Sequence, residues 1–259
     1  MTHVRQLDTD ELTSRVQAMY TQVADDPDHE FHFETGRALA LRLGYPLAQL
    51  DAVPAGALES FAGVGYFLDL AAICPGETVL DLGSGSGTDT FVAAGLAGPT
   101  GRVVGVDMTP AQLAKARRLA ADAGASQVEF REGRIEQPPV EDGSVDCVIS
   151  NGVVNLAPDK EVVFRAAAAA LRPGGRLALA DIVTAVQLPE GVTCDAALWA
   201  ACIGGAAQRD DYLAMMEAAG FQVAAVRDNP QYEFVSDRAA GATRTYGVTS
   251  ISVLAVGRP

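Results

Sequence analysis

The chain is short of basic residues, of histidine and of tryptophan, and each shortage excludes something. Nineteen Lys and Arg stand against 33 Asp and Glu, a net charge of −14. Such a surplus repels anionic polymers and anionic lipid, so nucleic acid and membrane surfaces are not expected partners. No apolar run reaches the ~18 residues that span a bilayer. The opening M-T-H-V-R-Q-L-D-T-D lacks the apolar segment of a signal peptide, which makes the cytoplasm the expected location. The three histidines, His3, His29 and His32, all precede residue 33. They are too few and too ill-spaced for a metal site, although His29 or His32 could cover an active site if the first residues fold back. Cys74, Cys147, Cys194 and Cys202 show no C-x-x-C pairing. No resident metal is expected, and in the cytosol these thiols stay reduced.

Apolar residues are plentiful, at 49% of 259, enough for a sizeable core. Residues 8–24 place Leu12, Val16, Met19, Tyr20 and Val23 at helical spacing, and Asp25-Asp26-Pro27-Asp28 breaks the pattern. A second helix is predicted over Glu34–Leu43 and a short third after Val53-Pro54. Residues 1–75 thus read as a helical N-terminal cap, and Pro75-Gly76 opens the domain of residues 76–259. There, strands at 78–82, 102–107, 127–132, 145–151 and 176–183 alternate with helices at 88–97, 110–123 and 159–171. That alternation predicts a parallel sheet covered on both faces. After a helix at 210–219, strand-like segments 221–227 and 249–256 predict a terminal hairpin separated by a polar stretch. Residues 184–208 interrupt the alternation as an insertion where α/β proteins place substrates.

The most informative stretch is T-V-L-D-L-G-S-G-S-G-T-D, residues 78–89. A strand runs through Asp81 into alternating glycines and then a helix. Glycines at such a turn let the backbone approach a ligand closely. Asp81 could hold an ammonium group. The second strand ends in Asp107, placed to hold ribose hydroxyls. Strand, glycine turn, helix and second-strand acid together indicate a nucleoside cofactor. The order G-x-G-x-G differs from the dinucleotide pattern G-x-G-x-x-G, but the spacing alone does not exclude NAD.

The phrases D-L-G-S-G-S-G, V-V-G-V-D-M-T-P and L-R-P-G-G-R-L together resemble the class I S-adenosylmethionine methyltransferases. The resemblance implies an α/β, Rossmann-like class I methyltransferase fold: a mostly parallel seven-stranded sheet with a terminal antiparallel hairpin, plus the helical N-terminal extension. It implies S-adenosylmethionine as cofactor. Gly83, Ser84 and Gly85 would line its methionine and ribose part, Asp107 would take the ribose hydroxyls, and Met108 would pack on adenine. Gly133, Arg134 and Ile135 would flank adenine, and Ser150 and Asn151 would sit by the methionine end. Tyr20 would either cap the cofactor or join the core.

A narrower resemblance lies in V-G-V-D-M-T-P, S-N-G-V-V-N-L-A-P-D-K and L-W-A-A-C-I-G-G-A, which look like the arsenite methyltransferase group. That group holds trivalent arsenic through cysteine thiolates, soft ligands on a soft centre. The corresponding positions here are Val64, Gly152 and Cys202, so one thiol of three is present. Cys74 precedes the first strand, at the wrong end of the sheet. Cys147 is expected in the core. Cys194 and Cys202 would lie ~12 Å apart on a continuous helix, although a loop could bring them together. Cys202 reads either as a substrate thiolate or as a small packed residue. Trp199 reads either as core or as a pocket wall.

The expected activity is methyl transfer to a soft nucleophile of the arsenite or metalloid type, the arsenic arriving with glutathione-like thiols. The alternatives are methylation of an organic small molecule, a non-catalytic cofactor-binding regulator, and, most distantly, a dehydrogenase.

Overall fold

The computed structural model describes residues 7–194, Trp199, residues 203–235 and residues 237–257. Helix α1 spans Thr9–Asp25, and the Asp8 carboxylate caps it by accepting from the N–H groups of Asp10 and Glu11. Leu12, Val16 and Val23 form its buried stripe. Helix α2, Gly36–Leu43, ends on Gly44 in the left-handed conformation. Three short helices follow: α3 Leu47–Asp51, α4 Ala55–Glu59 and α5 Leu68–Ala71. Only α4 was anticipated. The other two are single turns, too short for their sequence to carry a readable period.

Strands β1 (Thr78–Leu82), β2 (Arg102–Asp107), β3 (Val128–Glu132), β4 (Val145–Asn151) and β5 (Leu171–Thr184) pair in parallel. Helices α6 (Thr88–Ala97), α7 (Pro110–Asp122) and α8 (Lys160–Ala170) connect them. Short helix α9 (Glu190–Thr193), two-residue strand β6 (Ala207–Gln208) and helix α10 (Arg209–Ala218) lead to β7 (Phe221–Asp228). Helix α11 (Asp237–Tyr246) and strand β8 (Thr249–Gly257) complete the fold. The main path is β3-β2-β1-β4-β5-β8-β7, with β6 on β5. β8 is antiparallel to both neighbours. The seven-stranded sheet and its terminal hairpin are therefore present, with β6 added.

Two expectations need correction. The polar stretch before β8 contains α11. Strand β5 also starts earlier than expected, because Leu171 pairs with Val145 before the register shifts to Arg176 on Cys147. Pro173-Gly174-Gly175 is a bulge within the ladder rather than a break ahead of it.

Side chains alternate through the sheet, so each strand feeds two cores. Leu80, Val104, Val148, Leu179 and Val253 pack with Phe164 of α8 and Tyr212 and Met216 of α10. Val79, Val103, Cys147, Ile149 and Ala178 face the other way, into a cluster holding Leu12, Val16, Leu39, Leu50, Phe61 and Phe67. The N-terminal helices thus complete one face of the sheet and share its core.

Candidate functional site

The chain order reverses between β1 and β4, which is where open α/β sheets bind ligands, outside the carboxyl ends of the strands. A cleft opens at that point with about 1040 Å³ of empty space, part of it open solvent.

The glycine turn forms the floor. The N–H groups of Gly83 and Ser84 both donate to the Val106 carbonyl, at 2.8 and 3.0 Å. Gly83 has φ +75°, and a Cβ there would stand 2.4 Å from a Val153 methyl. Here glycine is required both by conformation and by close approach. The Asp107 carboxylate accepts from the Gly85 N–H at 2.9 Å and the Thr109 N–H at 2.8 Å. Each oxygen keeps lone-pair capacity for a further donor. Burial pushes Asp107 above the ordinary carboxylate range while those hydrogen bonds pull the other way. Ser84 also lines the cleft, and its buried hydroxyl has no partner among the described residues.

Two more buried carboxylates face the cleft. Asp81 accepts from the Thr90 hydroxyl at 2.6 Å. Burial, with Asp89 and Asp107 adding repulsion, pushes it to about 8. Asp89 accepts from the Tyr45 hydroxyl and from the Asn151 amide at 2.9 Å; burial raises it to about 6 against those bonds. Asn151 is bonded through both ends of its amide. Its amide also reaches the Tyr45 oxygen (3.0 Å) and the Gly65 carbonyl (3.1 Å), and its oxygen accepts from the Val64 N–H at 2.8 Å. One side chain thereby ties β4 to the loop Gly63-Val64-Gly65 and to α6.

Helix α1 lies over the cleft. Gln17 donates to the Met108 carbonyl at 3.0 Å, and Gln112 donates to the Tyr20 carbonyl at 2.8 Å. Tyr20, Met108, Gly133, Arg134 and Ile135 all line the cleft. The Arg134 guanidinium is held by Glu136 at 3.1 Å and reaches Thr13 at 3.4 Å.

The chain matches the methyltransferase domain family over residues 73–220. It is 46% identical over 205 residues to an arsenite methyltransferase from Halobacterium salinarum, covering 79% of this chain and 52% of the relative. A human arsenite methyltransferase is 38% identical over 152 residues, 55% of this chain and 40% of that one. The crystal structure of an arsenic(III) S-adenosylmethionine methyltransferase from Chlamydomonas reinhardtii superposes with a TM-score of 0.64. Its identity is 30%, with 86% of this chain and 74% of that one covered.

The chain belongs to the class I S-adenosylmethionine-dependent methyltransferases. It spans about half the length of the curated relatives it matches.

The methyltransferase's cleft suits the family cofactor. Gly83 leaves no side chain at the turn where Val153 packs close, Asp107 has spare acceptor capacity, Ser84 has a buried hydroxyl to offer, and the carboxyl groups of Asp81 and Asp89, raised by burial, would ionise beside a cationic ligand. Asp81, Gly83, Ser84, Gly85, Asp107, Met108, Gly133, Arg134, Ile135, Asn151 and Tyr20 converge on this one cleft.

Two of the expected site residues do not line it. Ser150 is 1% exposed, and its hydroxyl donates to the Leu82 carbonyl at 2.8 Å, bracing β4 against β1. Trp199 is 6% exposed, and its indole N–H donates to the Thr193 carbonyl at 2.6 Å, so of its two readings the structure takes the core. Cys202 lies outside the described residues. Cys147 is buried in the sheet, and burial pushes its thiol up to about 12. Cys74 is exposed ahead of β1. His29 and His32 are not among the lining residues.

Val64 and Gly152, the two positions without thiols, adjoin each other: a Cβ on Gly152 would lie 3.0 Å from a Val64 methyl. Asp89, Thr109, Gln17 and Gln112 were missed. Only Asp89 carries a signal, a lone acid early in a helix buried nearly all round.

Proposed function

We propose that the protein methylates trivalent arsenic, using S-adenosylmethionine as methyl donor. The observation that carries the reading is the cleft itself, where the glycine turn, Asp107 and the paired acids Asp81 and Asp89 meet beneath α1. S-adenosylmethionine, when bound, supplies an electrophilic methyl group on a positively charged sulfur. Asp107 and the Gly83–Gly85 backbone would hold the ribose side, with Met108 and the Gly133–Ile135 segment around the base. Asp81 would balance the ligand's positive charge. Leu12, Val16 and Tyr20 of α1 exclude water from the reacting end, and Phe61, Val153 and Leu156 wall it. Trivalent arsenic attacks through a lone pair, so no side chain has to take a proton at that step.

The adjacency of Val64 and Gly152, neither of which carries sulfur, bears on how the arsenic arrives. With those positions lacking sulfur, we assign the arsenic a complex with small thiols of the glutathione kind, Cys202 providing the protein's own sulfur ligand. The apolar wall of Phe61, Val153 and Leu156 favours a second reading, an apolar organic acceptor. The test is incubation with labelled S-adenosylmethionine and, separately, arsenite plus glutathione, selenite, thiols and phenols. Methylated arsenic is expected, and Cys202→Ser is expected to abolish it. Label appearing only in a phenol or thiol supports the organic reading. Full activity of Cys202→Ser refutes the thiolate role.

A further inference from the structure

Lys160 is a lysine that sequence and function leave unused. It stands at the start of α8, 7% exposed, with no carboxylate within ion-pairing distance among the described residues. Its ammonium donates to the carbonyls of Asn155 (3.2 Å) and Ala157 (3.0 Å) and lies 4.8 Å from the centre of the Trp199 ring. An ammonium has three N–H directions, and two carbonyls and an aromatic face account for all of them.

The Asn155 backbone is gripped at its N–H as well, in the preceding peptide group. Its N–H donates to the Asp181 carboxylate at 2.9 Å. Asp181 is fully buried on β5 and also accepts from the Tyr212 hydroxyl of α10 at 2.7 Å and the Ile182 N–H at 2.8 Å. Gly205 approaches the same backbone so closely that a Cβ would stand 2.0 Å from the Asn155 carbonyl oxygen, with the Trp199 ring 2.6 Å away. The backbone of one residue, through the two peptide groups that flank it, is therefore the junction of three parts. These are the cleft wall from Val153 to Pro158, the sheet through Asp181, and the insertion through Trp199 and Gly205.

We propose that Lys160 is a positioning residue that, together with Asp181, clamps the Asn155 backbone and so docks Trp199 and Gly205 onto the acceptor wall of the cleft. The inference rests on the methyltransferase reading for its kinetic consequence only. The clamp does not touch the glycine turn or Asp107, so cofactor affinity does not depend on it. Leu156, Ala157 and Pro158 line the cleft and follow the clamped peptide directly. Loosening the clamp moves the acceptor end alone. The charged groups facing Lys160 are Asp181 from β5 and Asp159 from its own helix cap, with Tyr212 of α10 reached through Asp181. Burial lowers the lysine to about 8.

Trp199 is the chain's one tryptophan, so its emission reports on this junction alone. The experiment compares the full chain with Lys160→Met, Lys160→Arg and Gly205→Ala, each checked by far-UV circular dichroism and by its Kd for S-adenosylmethionine. Wild-type emission is expected to change as the pH crosses the region around 8. Lys160→Met is expected to lose that titration, shift to longer wavelength and become more accessible to acrylamide. Gly205→Ala should reproduce the shift and the accessibility, and Lys160→Arg should restore both while remaining flat with pH. In kinetics, Lys160→Met should raise the acceptor KM by ~10-fold or more with the Kd for S-adenosylmethionine unchanged. Emission and quenching identical to wild type overturn the clamp, whatever the activity. An equal loss of cofactor affinity overturns the positioning role. If no acceptor is methylated by any variant, the functional reading fails, and the emission data still decide the clamp.

Discussion

Replacing Asp81 by Asn should stabilise the ligand-free protein, and increasingly so as pH rises. Asp81 is 2% exposed and shares the cleft floor with Asp89 and Asp107. Its value moves from the ordinary 3.8 to about 8 through burial and those two neighbours. The folded state therefore binds a proton that the unfolded chain has released between those two values. A raised carboxylate contributes nothing unfavourable below the lower value. Its penalty grows as pH climbs through the interval and is complete above about 8. At ~1.4 kcal/mol per tenfold, the four-decade gap sets a ceiling of ~6 kcal/mol, and relaxation of the buried site reduces this to an expected ~2–3 kcal/mol. Asparagine keeps an oxygen to accept from Thr90, so the local geometry survives. The assay is thermal unfolding of both proteins from pH 5 to 8.5. The midpoint difference should grow by ~5–10 °C across that range, given ~2–4 °C per kcal/mol for a domain of this size. Asp181, raised to about 6, titrates in both proteins and drops out of the difference, whereas Asp89, also raised to about 6, repels Asp81 in the wild type alone and adds to it. S-adenosylmethionine should reverse the ranking at pH 8, because its positive charge offsets the wild-type carboxylate. A midpoint difference that is flat with pH would refute the reasoning.

Gly83→Ala combines a left-handed φ with a 2.4 Å approach to Val153. It should cost ~2–4 kcal/mol in urea unfolding and abolish cofactor binding by calorimetry. Tyr45→Phe removes the hydroxyl that donates to Asp89. Leaving that buried carboxylate short of a donor should cost ~1–3 kcal/mol, most visibly above pH 6, where Asp89 is ionised. The Cys147 thiol, buried and pushed up to about 12, should resist alkylation in the folded protein while exposed Cys74 reacts, as peptide mass mapping would show.

The sheet was legible because its signals are local and repeated. Short β-prone apolar runs at 78–82 and 102–107, each followed by turn chemistry and a helical segment, need no knowledge of distant contacts. The bulge at Pro173-Gly174-Gly175 was not legible, because a Pro-Gly-Gly run reads as a terminator unless the pairing of Leu171 with Val145 is known. The cleft was half legible. Gly83, Gly85 and Asp107 carry a spacing that means something by itself, whereas Gln17 and Gln112 are ordinary helix residues until α1 folds over α7.

The glycine turn and the acid that ends the second strand determined by themselves that this chain builds a nucleoside cofactor cleft, since only glycine tolerates a floor that close. Tertiary structure alone decided what surrounds it. The fold sets Val64 beside Gly152, tucks Trp199 into the core instead of the cleft, and gathers Lys160, Asp181 and Gly205 around the backbone of Asn155. Asn155 and Asp181 alone are 26 positions apart, and no local spacing encodes their meeting. They meet because buried polar groups must find partners, and the packed sheet supplies them.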